Sequence, residues 1–360
     1  MPPRVSILMP VHNRAHLLDL VLEKLAENTT YPDVELLAVD DHSTDGSPDI
    51  LRRWEPGGRG PRPRLIESPG RGAIDALNTA LHTASGELCV QLDDDVTIET
   101  PGWVEKMIEL MEVDEAVGVV TGKVVFDAGD IHACGVNVVG PAGWHERGTA
   151  PAEPIGHRMR ISRVEPRPLE GQAGELETQV AEVDSGIGCC MMYRRADALA
   201  AGGYDPEWAP VWFDDVDLCL GIRRLGRKAF YLPDVRAVHH FQARRTDDLS
   251  KTHPRRMARG LVRRVGRRLP YPVRNAIEEH VDFDLFGQYT RDECARLRHH
   301  HAYWRAKWGW DARNPDMSEV QRRWGGTEIC WATDPDRRAA GERIVAEYAG
   351  RRGQRSLRTA

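Results

Sequence analysis

The sequence predicts an α/β fold built on a mostly parallel, mixed sheet with helices on both faces. Short apolar runs typical of buried strands alternate with segments in which apolar residues recur at helical spacing. Right-handed crossovers between parallel strands then place helices on both faces of the sheet. Polar residues follow directly after three of the runs, namely Asn13, Asp40-Asp41 and Asp93-Asp94-Asp95. Because ligands bind beyond the carboxyl ends of such strands, we expect these side chains to line one crevice.

Strands and helices alternate regularly from the first residues of the chain. The predicted strands are short and apolar, whereas the predicted helices are longer and amphipathic. In the first helix, for example, Leu18, Val21 and Leu25 recur on one face. The first strands predicted are Val5–Met9, Glu35–Val39, Arg64–Glu67 and Glu87–Leu92, and the first helices are Ala15–Asn28, Ser47–Trp54 and Ala73–Thr83.

The alternation continues further along the chain but is interrupted once. Residues 127–180 are rich in glycine, proline and charge without clear periodicity, which predicts a long inserted loop or small hairpin module. Residues 244–360 are predicted to form a mainly helical extension. The other predicted elements are the helices Trp103–Met111, Asp197–Ala201 and Val216–Leu225 and the strands Ala116–Phe126, Val183–Tyr193 and Ala229–Leu232.

Composition and charge argue against several classes of protein. With 49 basic and 55 acidic residues, the net charge of −6 gives no global basic field for nucleic acid. The sequence has no apolar run of the roughly 18 residues that a membrane span needs, and no signal peptide is recognised. The seven scattered cysteines contain no CxxC pair and are expected to be reduced. We therefore expect a cytoplasmic protein.

Two later segments leave their interpretation open. Residues 244–274 contain ten arginines among apolar residues at helical spacing. A helix packed on the domain with solvated arginines is favoured over peripheral contact with the anionic inner face of a membrane. The histidine- and tryptophan-rich residues 299–310 are suited to acceptor contact, to packing on the catalytic domain or to a homodimer interface.

The acidic run Asp93–Asp95 is suited to a divalent cation. Asp93 and Asp95 flank one residue, so both point to the same side of an extended chain. Carboxylate oxygens favour Mg²⁺ or Mn²⁺, and such a cation neutralises the diphosphate of a bound nucleotide. We expect Asp95 on the metal and Asp93 toward the ribose or a metal-bound water, and an imidazole of the His239-His240 pair is a further candidate ligand. A surface or core position is the alternative interpretation of that pair. A solvated loop or helix N-cap is the alternative interpretation of such a run taken alone.

A second acidic cluster, Asp214–Asp217, follows the aromatic pair Trp212-Phe213. A carboxylate beside aromatic surface is suited to act as a general base on a hydroxyl group, and Asp215 is predicted in that role. The alternative is N-capping of the helix that follows, because an aspartate at a helix start stabilises the first turn. The two interpretations are compatible, since one aspartate can cap the helix while its neighbour acts as the base.

Several short segments occur in an order and spacing that are specific to one known family. They are Val5–Arg14, Leu37–Ser47, Ala76–Ala80, Ala84–Glu87, Leu92–Asp95, Gly188–Arg195, Gly203–Asp205, Phe213–Leu218 and Pro233–His239. Over residues 4–242 the sequence thereby resembles the family 2 glycosyltransferases, which have the GT-A fold. The resemblance implies the transfer of a sugar, with inversion, from a nucleotide-diphosphate sugar (UDP favoured) to an acceptor hydroxyl. The acceptor class is left open among a glycan, a lipid-linked precursor, a peptide and a small molecule.

The resemblance also implies a domain organisation and a role for each matching residue. It implies a GT-A catalytic domain at 1–243, with a nucleotide-sugar half at 1–100 and an acceptor half at 101–243, followed by the extension at 244–360. The implied catalytic residues are Asp215 and Asp214, the nucleotide-sugar contacts are Pro10, Val11, Asn13, Asp40, Asp41, Arg71, Asn78, Asp93 and Asp94, the ligands of Mn²⁺ or Mg²⁺ are Asp95, Asp93 and His239 (or His240), and the acceptor contacts are Trp212, Phe213 and Gly188.

Three positions depart from the family pattern. His42 stands where the family usually has glycine, close to the expected nucleotide. Leu77 stands where an arginine is common, so a phosphate contact is assigned to Arg71 instead. Asp214 replaces the usual glutamate and is one methylene shorter, whereas the catalytic Asp215 is present.

Two other functions fit part of the pattern. A sugar nucleotidyltransferase shares the alternating fold and metal chemistry, but it needs a glycine-rich loop after the first strand, and Pro10–Arg14 contains no glycine. A catalytically inactive protein that only binds a nucleotide-sugar is the other alternative. The presence of both Asp95 and Asp215 disfavours it.

Overall fold

In the computed structural model of the chain, the described residues are 2–70, 72–127, 131–136, 138, 178–240, 291–312 and 317–359. Three features expected from the sequence lie outside them: Arg71, most of the insertion at 127–180 and the whole basic segment 244–274. The chain divides into two compact units, residues 1–241 with 312–360, and residues 242–311. The extension expected at 244–360 is thus divided between the two units.

Strands and helices alternate along the first unit. Its strands are β1 Val5–Val11, β2 Val34–Asp40, β3 Pro63–Glu67, β4 Leu88–Gln91, β5 Val96–Ile98, β6 Val117–Phe126, β7 Ile131–Ala133, β8 Ala181–Val183, β9 Met191–Arg194 and β10 Lys228–His239. The helices within the described residues are α1 Ala15–Asn28, α2 Ser47–Arg53, α3 Ala73–Thr83, α4 Trp103–Met111, α5 Arg195–Ala200, α6 Asp214–Arg224, α7 Arg291–Trp308, α8 Met317–Trp324 and α9 Pro335–Thr359, and α7 lies in the second unit.

The strands form one mixed sheet in the order β3-β2-β1-β4-β9-β6-β10-β5, with β7 paired to β6 and β8 to β10. Strands β1 to β4 are parallel, as are β6 and β10. Strand β9 is antiparallel to both β4 and β6 and joins these two parallel groups. The predicted mixed, mostly parallel sheet is therefore confirmed. Parallel neighbours end at the same edge, so the loops after β1, β2 and β4 lie together.

Burial explains why these segments form this sheet. In β1 the consecutive residues Val5–Met9 are all buried, so both faces of the central strand are covered. Helix α1 places Leu18, Val21 and Leu25 in the core, as its apolar spacing predicted. The predicted bounds of α1, α3 and α4 coincide with those in the structure.

Three predicted strand assignments are wrong in detail. The single strand expected at Val183–Tyr193 is instead the end of β8, a 3-10 turn at Gly188–Cys190 and then β9, because β8 pairs with β10 whereas β9 pairs with β4 and β6. The strand expected to end at Leu232 continues through Pro233 to His239, and its register against β6 shifts after Leu232. Proline has no N–H for the ladder, so an irregularity there is expected. The short strand β5 was missed.

The C-terminal part of the first unit packs on α6 through buried charges. Arg223, on α6, donates to Glu182 at 2.8 Å, to the carbonyl of Val183 at 2.7 Å and to the carbonyl of Glu328 at 2.9 Å. The ammonium of Lys228 lies 2.8 Å from the Glu328 carboxylate and 3.2 Å from that of Glu182. These groups are almost fully buried, so the turn at Glu328–Thr333 is part of the core of the first unit.

The second unit is described through α7 and the residues that follow it. The indoles of Trp304, Trp308 and Trp310 pack together, with ring centroids 5.7–6.0 Å apart. The acceptor, packing and dimer roles considered for residues 299–310 remain predictions. None of the helices in the described part of the chain combines the length and the apolar character needed to cross a bilayer.

Candidate functional site

An arginine after β1 binds the acidic run after β4. Nε of Arg14 donates to Oδ1 of Asp94 at 2.9 Å, and Nη2 donates to Oδ2 of Asp95 at 2.7 Å. All three side chains are buried. The backbone N–H of His12 donates to Oδ2 of Asp94 at 2.9 Å. Asp94, expected among the nucleotide-sugar contacts, thus has its oxygens bonded to the protein itself.

Burial and the repulsion between neighbouring carboxylates raise the pKa values of Asp93 and Asp94. Burial, followed by the charge of Asp95, raises the pKa of Asp93 to about 7. Burial also raises the pKa of Asp94 to about 6, although Arg14 opposes the shift. The guanidinium of Arg14 therefore offsets only part of the negative charge of the run. A further cation bound here would relieve the remaining repulsion.

His239, at the end of β10, joins this acidic run. Its Nε2 lies 3.1 Å from Oδ1 of Asp95. One donor atom from each of Asp93, Asp95 and His239 lies within 4.8 Å of the other two, which is the spacing of a group able to bind a metal ion. Its neighbour His240 is directed elsewhere, with Nε2 3.0 Å from Oγ1 of Thr97 and Nδ1 bonded to Asp127. Of the two histidines, His239 is therefore the one placed with the acidic run.

The carboxylate of Asp215 is fixed at the start of α6. The backbone N–H of Gly188 donates to Oδ2 of Asp215 at 2.9 Å, and the N–H of Val216 donates to Oδ1 at 2.7 Å. Asp215 is 5% exposed. Burial raises its pKa, whereas these two N–H groups oppose the shift. The pKa of Asp214 is raised well above its ordinary value, first by burial and then by the charge of Asp215.

The two acidic clusters lie close enough for their charges to interact. After burial and Asp95, the charge of Asp215 contributes to raising the pKa of Asp93. After burial and Asp215, the charge of Asp93 contributes to raising the pKa of Asp214. Carboxylates influence one another in this way only across a short, poorly solvated distance. The structure thus brings together the predicted metal and base residues.

The loops that follow β1 and β2 lie at the same edge of the sheet as the acidic run after β4. Pro10 pairs with Val39 and Val11 with Asp40 in the parallel ladder. The carboxylate of Asp40 accepts from the N–H of Ser43 at 3.2 Å, and Oδ1 of Asn13 accepts from the N–H of Thr44 at 2.8 Å. The carbonyl of Asp41 bonds to Nδ1 of His12 at 2.7 Å. The predicted nucleotide contacts Asn13, Asp40 and Asp41 therefore lie close together, and some of their hydrogen-bonding groups stabilise the loops.

Two residues that were predicted to contact ligands, Asn78 and Phe213, instead make contacts within the protein. The amide of Asn78 donates to the carbonyl of Tyr204 at 2.6 Å and accepts from its N–H at 3.0 Å. The ring of Phe213 is 1% exposed and stacks on Trp208 at 5.3 Å, which leaves Trp212, half-buried, as the more accessible member of the aromatic pair. Trp212 and Phe213 both have positive φ, 85° and 68°, so the chain turns sharply just before α6.

No metal or catalytic role was predicted for two residues that are prominent in the structure. Arg14 stood at the end of a matched segment, but its partners lie about eighty positions away, and only the pairing of β1 with β4 brings them together. Cys189 lies next to Gly188 and within 4.8 Å of His239, donor atom to donor atom. Both residues lie in segments that match the family, Val5–Arg14 and Gly188–Arg195, and that match was the one available indication for each.

Comparison with known proteins gives a consistent result. A family model described as Glycosyl transferase family 2 matches residues 6–134. The O-antigen biosynthesis protein RfbC of Myxococcus xanthus is 29% identical over 252 residues, which are 68% of this chain and 18% of that protein. An uncharacterized protein of Sinorhizobium fredii, y4gI, is 28% identical over 246 residues, 68% of this chain and 25% of that protein. The chain thus spans a quarter or less of the length of these two relatives.

A solved structure is similar over most of the chain. It is a mannosyltransferase from Pyrobaculum calidifontis in complex with GDP-Man and Mn²⁺. The two proteins are 20% identical, with a TM-score of 0.47, and the match covers 97% of this chain and 86% of that one.

Proposed function

We propose that this chain, a family 2 glycosyltransferase whose residues 6–134 match the family model, moves a sugar with inversion from a nucleotide-diphosphate sugar to an acceptor hydroxyl. The family resemblance and the GT-A fold expected from the sequence are confirmed by the family match together with the sheet order. The observation that supports the proposed reaction most is the proximity of two acidic groups, Asp93 and Asp95 with His239 in one and Asp215 in the other. UDP is the donor nucleotide we propose first.

The first group fits a divalent cation, Mn²⁺ or Mg²⁺. Asp93 and Asp95 offer carboxylate oxygens and His239 an imidazole nitrogen, and the donor atoms are already within 4.8 Å of one another. The charge crowding that helps to raise the pKa of Asp93 is relieved by such a cation. When bound, the cation neutralises charge that develops on the diphosphate leaving group.

Asp215 is placed to act as the general base. The N–H groups of Gly188 and Val216 orient its carboxylate, and burial raises its pKa, which makes it a stronger base than an exposed aspartate. Asp215 takes the proton of the acceptor hydroxyl while the hydroxyl oxygen bonds to the anomeric carbon. The nucleoside diphosphate leaves from the opposite face, which inverts that carbon.

The substitution Asp215→Asn tests the proposal. Thermal stabilisation by UDP-, GDP- and dTDP-sugars with Mn²⁺ first identifies the donor, because a ligand that binds the folded state raises its stability. Transfer to hydroxyl acceptors is then measured. We expect D215N to retain stabilisation by the donor and to lose turnover by about 10²–10⁴-fold.

The matched control is Asp217→Asn, which removes another buried carboxylate from the first turn of α6. We expect D217N to retain more turnover than D215N at equal folded fraction. Turnover in D215N equal to that of the parent would rule out Asp215 as the base. A chelator should abolish transfer, and Mn²⁺ should restore it in the parent but not in Asp95→Asn.

A further inference from the structure

A second group of donor atoms shares His239 with the acidic run. One donor atom from each of His132, Cys189 and His239 lies within 4.8 Å of the other two. The rings of His132 and His239 have centroids 5.2 Å apart, and Phe126 lies 4.5 Å from the His132 ring. Cys189 is 3% exposed. This group holds two nitrogens and one sulfur, whereas the acidic group offers mainly oxygens.

Strand pairing fixes where each of these side chains lies. His132 is on β7, which pairs with β6 antiparallel through Val124 and Val125. His239 is on β10, which pairs with β6 directly at Phe126. Cys189 lies in the 3-10 turn that leads into β9, and β9 pairs with β6 at Val119–Thr121. Three elements attached to one strand therefore deliver the donors, which is a more rigid arrangement than three independent loops.

We propose that His132, Cys189 and His239 form a second cation subsite that takes a thiophilic cation of the Zn²⁺ class, next to the oxygen-rich Asp93–Asp95 group and sharing His239 with it. Imidazole and thiolate are the ligands that zinc prefers, and three protein ligands leave its fourth position open. Mn²⁺ and Mg²⁺ prefer carboxylate oxygens instead. The two donor groups thus differ in the cation that they favour and have one histidine in common.

Occupancy of this second subsite has a consequence for catalysis. A zinc ion there binds His239, which is also a ligand proposed for the catalytic cation, and so fixes the orientation of that ring. It also binds the residue next to Gly188, whose N–H orients Asp215. Formation of the zinc–sulfur bond releases the Cys189 thiol proton to solvent, so no oxidant or reductant is needed. We therefore expect zinc to inhibit transfer in the presence of Mn²⁺, and this inhibition rests on the proposed function whereas zinc binding itself does not.

Cobalt spectroscopy on the full chain tests the subsite without a transfer assay. Co²⁺ takes zinc positions and gives a near-ultraviolet sulfur-to-metal charge-transfer band when a thiolate is a ligand. We expect the parent protein to show this band, Cys189→Ser to lack it and Cys190→Ser to keep it. Cys190 is the matched control, because it is the adjacent buried thiol and belongs to neither donor group.

Competition with a chromophoric chelator gives the zinc affinity. We expect Cys189→Ser and His132→Gln to weaken zinc binding by at least about tenfold, and Cys190→Ser to leave it unchanged. Absence of the sulfur band in the parent would overturn the proposal. So would zinc binding that Asp95→Asn weakens but Cys189→Ser and His132→Gln do not. A protein that shows the band yet transfers no sugar would keep this subsite and refute the proposed function instead.

Discussion

Nη2 of Arg14 lies 2.7 Å from Oδ2 of Asp95, and both side chains are 5% exposed. The same guanidinium bonds Asp94 through Nε, so its planar fork joins two neighbouring carboxylates. Asp93 takes no part in this pairing, and its pKa of about 7 is higher than that of Asp94, about 6. Arg14 therefore neutralises part of the negative charge of the proposed metal group before any cation binds.

The first prediction concerns Arg14→Gln. Removing one partner of a buried ion pair leaves the other uncompensated, so we expect a loss of about 3–5 kcal/mol in unfolding free energy. The folded variant should bind Mn²⁺ with an affinity different from that of the parent, because the acidic run loses the positive charge of Arg14. Denaturant unfolding measures the first effect. The control is Arg53→Gln, whose pair with Asp19 is exposed and spans 3.7 Å; it should cost at most about 1 kcal/mol. Equal losses in the two variants would contradict the prediction.

The second prediction concerns Gly188→Ala. A methyl group there would meet the amide of Gln91, which itself accepts from the hydroxyl of Tyr204 at 2.9 Å. Relief of this clash displaces the Gly188 N–H from Asp215, so we expect turnover to fall about ten- to a hundredfold with a smaller change in donor affinity. Steady-state kinetics separate the two effects. The double variant Gly188→Ala/Gln91→Ala should recover part of the turnover, and no recovery would show that Gln91 is not the cause.

The third prediction compares two glycines of α9. A methyl group at Gly341 would clash with the Glu182 carboxylate, whereas at Gly350 it would meet nothing within 4 Å. We expect Gly341→Ala to destabilise the protein by about 1–3 kcal/mol, because it pushes α9 away from Glu182. Gly350→Ala should stabilise it by up to about 1 kcal/mol, since alanine favours the helix. Thermal unfolding of both variants measures the difference, and an unchanged or raised melting temperature for Gly341→Ala would refute the close packing of α9 on β8.

The fourth prediction concerns His42, which has a φ of 54°. This left-handed conformation is strained for a residue with a Cβ and free for glycine. We expect His42→Gly to leave the unfolding free energy unchanged or to raise it by up to about 1 kcal/mol. The control Glu23→Gly, on the exposed face of α1, should lower it by about 0.5–1 kcal/mol. If both substitutions destabilise the protein equally, the conformation at His42 contributes no strain.

Apolar periodicity along the sequence predicted correctly the helices whose bounds depend mainly on nearby residues. The bounds of α1, α3 and α4 coincide with the structure because each has several turns of periodic apolar residues. The sequence showed that His42 stands where the family usually has glycine. The positive φ of His42 is the physical reason why glycine is common at that position. The position of Asp93 and Asp95 at the edge where β1 and β2 also end followed from the general rule for parallel strands.

Features that depend on distant partners were not predictable in this way. The sequence between Val183 and Tyr193 is apolar enough for one strand, and only the competing pairings of β8 and β9 divide it. No acidic residue lies within four positions of Arg14 or Arg223 in the sequence. Their burial depends on acids and carbonyls that lie 40 to 105 positions away. Asn78 matched a motif, yet its hydrogen-bond partner Tyr204 lies 126 positions away.

The buried contacts of Lys228 and Arg223 with Glu328 also determine how the chain can be divided. A fragment that stops after β10 would leave an ammonium and a guanidinium in the interior without that partner. We expect such a fragment to be poorly expressed or aggregated, even though it contains every proposed catalytic residue. Anyone who exchanges modules between enzymes of this kind should place the junction beyond α9, because the last helix belongs to the smallest piece that folds.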